Sequence, residues 1–308
     1  FHSIMKIGNT DITNPKIGTT EINKVFLGLN KVWERLSFLL DSLTGSTGAF
    51  SLRLLSSSYT GDAIQVRRAS DNTTQNIGFV NNQLDTASLN TFCSGTDGFV
   101  STWYNQSDVS NNAIQTALSN QPKIYDSVNG VELENGKPTI KFIKSSSTWL
   151  EVADNSFGHL SDSISNFSVS KGNSGTSNFP SLFSKGYNVT GCFTFYIQNT
   201  TYELRLWAGN IAHATGYNSF LGSQRLLSNI NATGTNNSLV NIDSVSISNY
   251  TLTTTTGTNT YKWAIGRNNR DSNYYWDGNI QEILLFNNNQ TSDINTIESD
   301  INTNYTIY

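Results

Sequence analysis

Residues 59–71 read YTGDAIQVRRASD and residues 92–107 read FCSGTDGFVSTWYNQS. Each holds one short run rich in aliphatic, β-branched and aromatic residues, 63–67 in the first and 98–104 in the second, closed on both sides by Gly, Ser, Asp or Asn. That is the pattern of a short strand between tight turns. The same pattern recurs outward along the chain at 139–143, 167–170, 192–197, 202–207, 262–266 and 279–286. In 202–207, Leu204 and Leu206 fall on one side and Glu203 and Arg205 on the other, the period of two expected of a half-buried strand. So many short strands predict an all-β fold, a β-sandwich. Near the C-terminus Ser292 can cap a helix whose Ile294, Ile297 and Ile301 stand at i, i+3 and i+7, so a single helix is expected to lie on the sandwich.

The composition agrees. The 308 residues include 40 Asn, 39 Ser and 35 Thr, and this neutral polarity replaces charge, which is only 14% of the chain against about 25% in ordinary globular proteins. Asn and Ser favour turns over helix interiors and Thr suits strands, which excludes an all-α protein. With 19 basic and 23 acidic residues the net charge is −4, which argues against nucleic acid as a partner. No stretch approaches the ~20 apolar residues of a membrane span, and no apolar signal-peptide core follows Phe1, so the chain reads as soluble, without membrane insertion. Cys93 and Cys192 could form one bridge at most and are expected to be buried free thiols.

The first 36 residues carry a ten-residue repeat: IGNTDI from Ile7 to Ile12, IGTTEI from Ile17 to Ile22, and LGLNKV from Leu27 to Val32, followed by Trp33. Two aliphatic residues flank a polar stretch that opens with Gly, as tight hairpins require. Units this small cannot bury their own apolar side chains and must pack on something else. Residues 1–36 are therefore read as an attachment and oligomerisation segment, with Ile7, Ile12, Ile17, Ile22, Leu27, Val32 and Trp33 as its assembly contacts. Residues 37–308 are read as the main domain. A homo-oligomer is expected, a trimer by analogy with phage fibres.

The order and spacing of YTGDAIQVRRASD, FCSGTDGFVSTWYNQS, Asn111-Asn112-Ala113 and Gln121-Pro122-Lys123 resemble the first half of the α-L-arabinofuranosidase B catalytic domain. The resemblance covers residues 45–142. It implies a concanavalin A-like, laminin-G-like jelly-roll sandwich, and residues 276–287 are similar to the closing strands of such a domain. Cys93 matches a family cysteine, but Gly98 stands at its partner's position and Asn105 replaces the Asp of the family's YDQS. Neither of the family's catalytic carboxylates has a recognisable counterpart. The N-terminal repeats resemble segments that precede such domains in tailed-phage virion proteins.

Glycoside cleavage needs two carboxyl groups. Glu151, Asp154, Glu203, Asp243, Asp271, Asp277 and Glu282 are available, but nothing in the sequence pairs them, and each reads as a solvated strand edge or turn residue. Arg67 and Arg68, adjacent in a strand, should point to opposite faces, with Asp71 as an ion partner. His2, His159 and His213 show no metal-ligand spacing, so no metal or other cofactor is expected, with calcium left open. The strongest binding candidate is the loop 267–276, where Arg267, Asn268, Asn269, Arg270, Asp271 and Tyr274 combine amides, charge and aromatic faces suited to a sugar. One of Tyr275 and Trp276 should point into the core, as should Trp103 and Tyr104. The leading expectation is a non-enzymatic phage virion protein on the particle surface. It would contact other virion proteins through residues 1–36 and host-surface glycans through its lectin-like body. A glycoside hydrolase of the arabinofuranosidase type and a ligand-free structural protein are the alternatives.

Overall fold

A computed structural model describes the chain apart from residues 1–4, 8–9, 13–15, 18–19, 22–23, 28–29, 35–37, 155–156, 159–162, 174–178, 187–188, 190, 209–210, 233, 253–258 and 270–273. For the strand residues between 5 and 34, and for 234–237 and 252, it describes the backbone alone. The ten-residue repeat forms three antiparallel hairpins: Met5–Ile7 with Thr10–Ile12, Lys16–Ile17 with Thr20–Glu21, and Lys24–Leu27 with Asn30–Glu34. Each is its own two-stranded sheet. The side chains of the predicted assembly contacts lie outside the described residues, as does Ile22 altogether.

The rest of the chain is mostly β, built around one 19-stranded sheet whose pairings are antiparallel. The strands used below are β1 (Ser46–Ser51), β2 (Ile64–Arg68), β3 (Thr74–Ile77), β4 (Gly98–Trp103), β5 (Ala113–Ile114), β6 (Leu150–Val152), β7 (Ser163–Gly172), β8 (Ser181–Ser184), β9 (Phe193–Ile197), β10 (Leu204–Ala208), β11 (Arg225–Ala232), β12 (Trp263–Ile265) and β13 (Gly278–Phe286). All eight strand stretches read from the sequence fall on strands. The sheet encloses a core in which Trp263 stacks on Phe50 at 5.7 Å and on Phe183 at 5.6 Å between ring centroids. Trp103 and Trp276 are buried in it. Tyr104 is not: it is half-exposed, and its hydroxyl donates to Asn76 Oδ1.

A second core lies on the other side of β7, β11 and β13, where helix α2 (Ile294–Tyr305) buries Ile294, Ile297, Ile301 and Tyr305 against Phe167, Leu284 and Phe286. The helical period read from the sequence is correct, but Ser292 is not the cap. Asp293 holds that position without a side-chain cap bond, and the Ser292 hydroxyl donates to Asp293 Oδ2 instead. Nor is α2 alone. A seven-residue helix, α1 (Thr86–Phe92), starts at Asp85, whose Oδ1 accepts from the Ser88 N–H at 3.0 Å.

The motif residues 92–107 are structural clamps. Asn105 is fully buried: its Oδ1 accepts from the Ala49 N–H at 2.8 Å while its Nδ2 donates to the Thr47 carbonyl, tying the end of β4 to β1. Gln106 accepts from the Leu55 N–H and donates to the Arg53 carbonyl. Arg67 and Arg68 diverge as expected. Arg67 is buried on Gln121 and Asn72, and Arg68 makes a two-pronged pair with Asp71 at 2.9 and 2.6 Å. Both cysteines are buried thiols, not joined in a disulfide. Burial pushes the Cys93 thiol up to about 11, and a Cβ at Gly98 would lie 2.6 Å from its Sγ, so position 98 does face this cysteine.

Candidate functional site

Directly opposed residues of antiparallel strands send their side chains to the same face. Along β6, β12, β8, β9 and β10, the register aligns Leu150, Ile265, Phe183, Phe195 and Leu206 on the core face. The alternating row, Glu151, Ala264, Ser184, Thr194 and Trp207, therefore faces away from the core, with Ile114 of β5 continuing it beyond Glu151.

Glu151 is the centre of a cluster on this face. Trp149 precedes it by two residues and so shares its side of the strand. Lys262 Nζ lies 2.8 Å from Glu151 Oε1, and Arg267 Nη2 lies 3.6 Å from Oε2. The Arg267 guanidinium sits 3.2 Å from the centroid of the Trp149 ring. Arg267 reaches this position because Gly266 turns the chain after β12 with φ +81°, where a Cβ would strike Phe142 Cδ1 at 2.3 Å. Burial lowers the Arg267 guanidinium from its ordinary range, with Glu151 and Tyr275 opposing that shift. Asn269 closes the cluster: its Oδ1 accepts from the Gly186 N–H at 2.9 Å and its Nδ2 donates to the Lys262 carbonyl. Beside it, Lys185 has no exposed surface, and burial pushes its ammonium down to about 8 against the pull of Asp154.

The predicted loop is thus partly assembled around one carboxylate. Arg267 and Asn269 join Glu151. Asn268 is buried, with its N–H on the Tyr274 carbonyl, and the Tyr274 ring packs 5.4 Å from Phe179. Arg270 and Asp271 lie outside the described residues. The other carboxylates are dispersed. Asp154 is exposed just past the end of β6. Glu203 pairs with Arg205 and accepts from the Gly216 N–H, and Asp243 pairs with Arg225. Asp277 accepts from the Lys144 N–H and from Asn173. Glu282, read as solvated, is fully buried on Arg53 because α2 covers that face of β13. Trp149, Lys262 and Lys185 were missed, although the order Trp149-Leu150-Glu151 already put an aromatic and an acid on one face. Among the described residues no group of three His, Cys, Asp or Glu side chains could hold a metal.

Residues 41–202, more than half of the chain, match the family described as alpha-L-arabinofuranosidase B, catalytic. The chain belongs to that family. A GH54 α-L-arabinofuranosidase variant soaked with 4-nitrophenyl α-L-arabinofuranoside superposes with a TM-score of 0.61 at 16% identity, covering 83% of this chain and 62% of that one. An arabinofuranosidase complexed with arabinofuranosyl-α-1,2-xylobiose gives 0.59 at 17% identity with the same coverages, 83% and 62%. This arabinofuranosidase-family chain therefore spans about 62% of the length of those solved relatives, and at such identities the likeness is one of fold. No curated protein sequence matches it.

These findings overturn the expectation of a non-enzymatic phage virion protein. The matched family is that of a catalytic domain, and the solved neighbours are glycoside hydrolases studied with substrate or inhibitor. The misreading has a physical origin. A ten-residue hairpin repeat reports local backbone geometry, not the particle it belongs to, and the lack of a carboxylate motif in sequence says little when strand register brings distant residues together.

Proposed function

We propose that this chain is a glycoside hydrolase of the arabinofuranosidase type, built on a concanavalin A-like jelly roll, and that its reaction takes place over Trp149, Glu151, Lys262 and Arg267. The observation that carries the proposal is the family match across residues 41–202. Hydrolysis of a glycoside uses one carboxyl group as acid and a second as nucleophile or base. Held between Lys262 and Arg267, Glu151 is suited to be the charged member of that pair. Asp154, just past the end of β6, and Asp271, four residues after Arg267 in the sequence, are the two choices for the acid. The stacked Trp149 and Arg267 offer a flat, partly charged floor, and sugar hydroxyls can bond to Lys262 and Glu151.

The test is turnover of 4-nitrophenyl α-L-arabinofuranoside by the wild type and by Glu151→Gln, Asp154→Asn and Asp271→Asn. Turnover abolished by Glu151→Gln and by one of the two Asp variants is expected. Wild-type turnover that survives Glu151→Gln moves the reaction to another face; no turnover of any arabinofuranoside by the wild type refutes the hydrolase reading.

A further inference from the structure

The row that carries Glu151 does not stop at Ile114. The register continues it through Thr102 of β4 and Gln65 of β2 to Asn76 of β3, the last strand of the sheet, so Asn76, Gln65, Thr102, Ile114 and Glu151 share one face. Thr102 is buried, whereas Ile114 and Asn76 are exposed and Gln65 and Glu151 half-exposed.

At the far end of this row stands a prearranged polar group that the proposed reaction does not use. Asn76 Nδ2 donates to Asp62 Oδ2 at 2.9 Å. Asn76 Oδ1 accepts from Gln65 Nε2 at 3.1 Å and from the Tyr104 hydroxyl at 3.0 Å. Gln65 Oε1 in turn accepts from the Ser101 hydroxyl at 2.9 Å. Tyr59 borders the group: its hydroxyl donates to the Asp62 carbonyl, and its ring meets Phe79 edge to face at 6.4 Å. Two carboxamides and a carboxylate are fixed in place while each keeps a spare N–H or lone pair, and half-exposed aromatic rings flank them. Paired donors and acceptors beside an aromatic surface match the vicinal hydroxyls and C–H faces of a sugar.

We infer that Asp62, Gln65, Asn76 and Tyr104 form a distal subsite for a polymeric, arabinose-bearing glycan that runs across the strands from β3 to β6. Gln65 and Glu151 are three strand spacings apart, about 14 Å at roughly 4.8 Å per spacing, so one ligand touching both must be longer than a single sugar. The exposed Ile114 between them supplies an apolar contact for a ring face. The inference rests on the hydrolase reading for the direction of the chain toward Glu151, but its binding claim can be tested without turnover.

The experiment compares the wild type, Asn76→Ala and Tyr104→Phe on two probes. Binding to soluble arabinoxylan and arabinan is measured by affinity electrophoresis, and turnover of 4-nitrophenyl α-L-arabinofuranoside is measured in parallel. Expected is about tenfold weaker polymer binding in each variant, the equivalent of one or two lost hydrogen bonds, with the small glycoside turned over at the wild-type rate. Polymer binding that is unchanged in both variants, or a wild type that binds neither polymer, overturns the subsite. A wild type that binds polymer through Asn76 yet hydrolyses nothing keeps the subsite and refutes only the hydrolase reading. Matching melting temperatures exclude misfolding, and Asn76, exposed on the last strand, is the variant that folding can least affect.

Discussion

Replacing Glu282 by Gln should cost the fold about 3 kcal/mol, because it breaks a buried ion pair from one side only. Glu282 has no exposed surface. Its carboxylate accepts from the Ser51 hydroxyl at 2.7 Å, from Arg53 Nε at 2.8 Å and Nη2 at 3.0 Å, and from the Tyr305 hydroxyl at 3.1 Å. Burial alone would lower the Arg53 guanidinium, yet the charge and hydrogen bonds of Glu282, aided by Asp300, raise it above its ordinary value. Gln preserves the shape but turns an N–H₂ toward donors and leaves Arg53 with Asp300, at 2.6 Å and a third exposed, as its remaining acid. Breaking a buried pair costs about 3–5 kcal/mol, and the surviving partner places this case at the lower end. For a chain of this size that is a fall in Tm of roughly 6–12 °C. The assay is urea unfolding followed by both tryptophan fluorescence and circular dichroism, whose coincidence tests two-state behaviour. Arg53→Met, Glu282→Leu and Tyr305→Phe combined should be less damaging than Glu282→Gln alone, since the buried charge disappears with its partner. A Glu282→Gln cost below about 1 kcal/mol, or a triple variant as unstable as the single one, would refute the reasoning.

Gly98→Cys should form a disulfide with Cys93, because a Cβ at position 98 lies 2.6 Å from the Cys93 Sγ; thiol titration of the oxidised, denatured variant should count one free cysteine, and three would refute the facing geometry. Gly266→Ala should be destabilised by more than about 2 kcal/mol, the sum of a left-handed backbone and a collision with Phe142, and should lower activity by displacing Arg267; a melting point equal to the wild type would contradict this. The N–H groups of Asn129 and Val128, with Lys123, hold the Asp126 carboxyl down to about 2 from 3.8. A depressed carboxylate contributes stability above its unfolded value that is lost as the pH falls through its folded value, so stability should drop between about pH 4 and 2. Asp126→Asn should flatten that slope in urea titrations, and an unchanged slope would show that other groups dominate.

What could be read from the sequence depended on whether a single strand or helix determined it. Period-two runs such as 202–207 are local, and so is the face of α2, and both were legible. The Arg68–Asp71 pair was legible for the same reason, its partners being three residues apart. Helix α1 escaped because seven polar-rich residues carry no periodicity, and its one signal, Asp85 three residues before Ser88, is short. Glu282 was misread because alternation predicts one wet face, whereas β13 is covered on one side by the main core and on the other by α2. The same distinction governs function. The motifs 59–71 and 92–107 hold residues such as Asn105, Gln106 and Arg67, whose hydrogen bonds tie strands together, and they contain no part of the cluster at Glu151. That cluster draws Trp149 and Glu151 from β6 and its approach, and Lys262 and Arg267 from the two sides of β12, more than a hundred residues later in the chain. Only the register between β6 and β12 makes neighbours of them, and register follows from which faces the whole sheet buries. In a fold of this kind the fingerprint of the family and the groups that could do its chemistry are subject to different constraints, so a chain can keep the first in plain view while the second becomes visible only once the strands are paired.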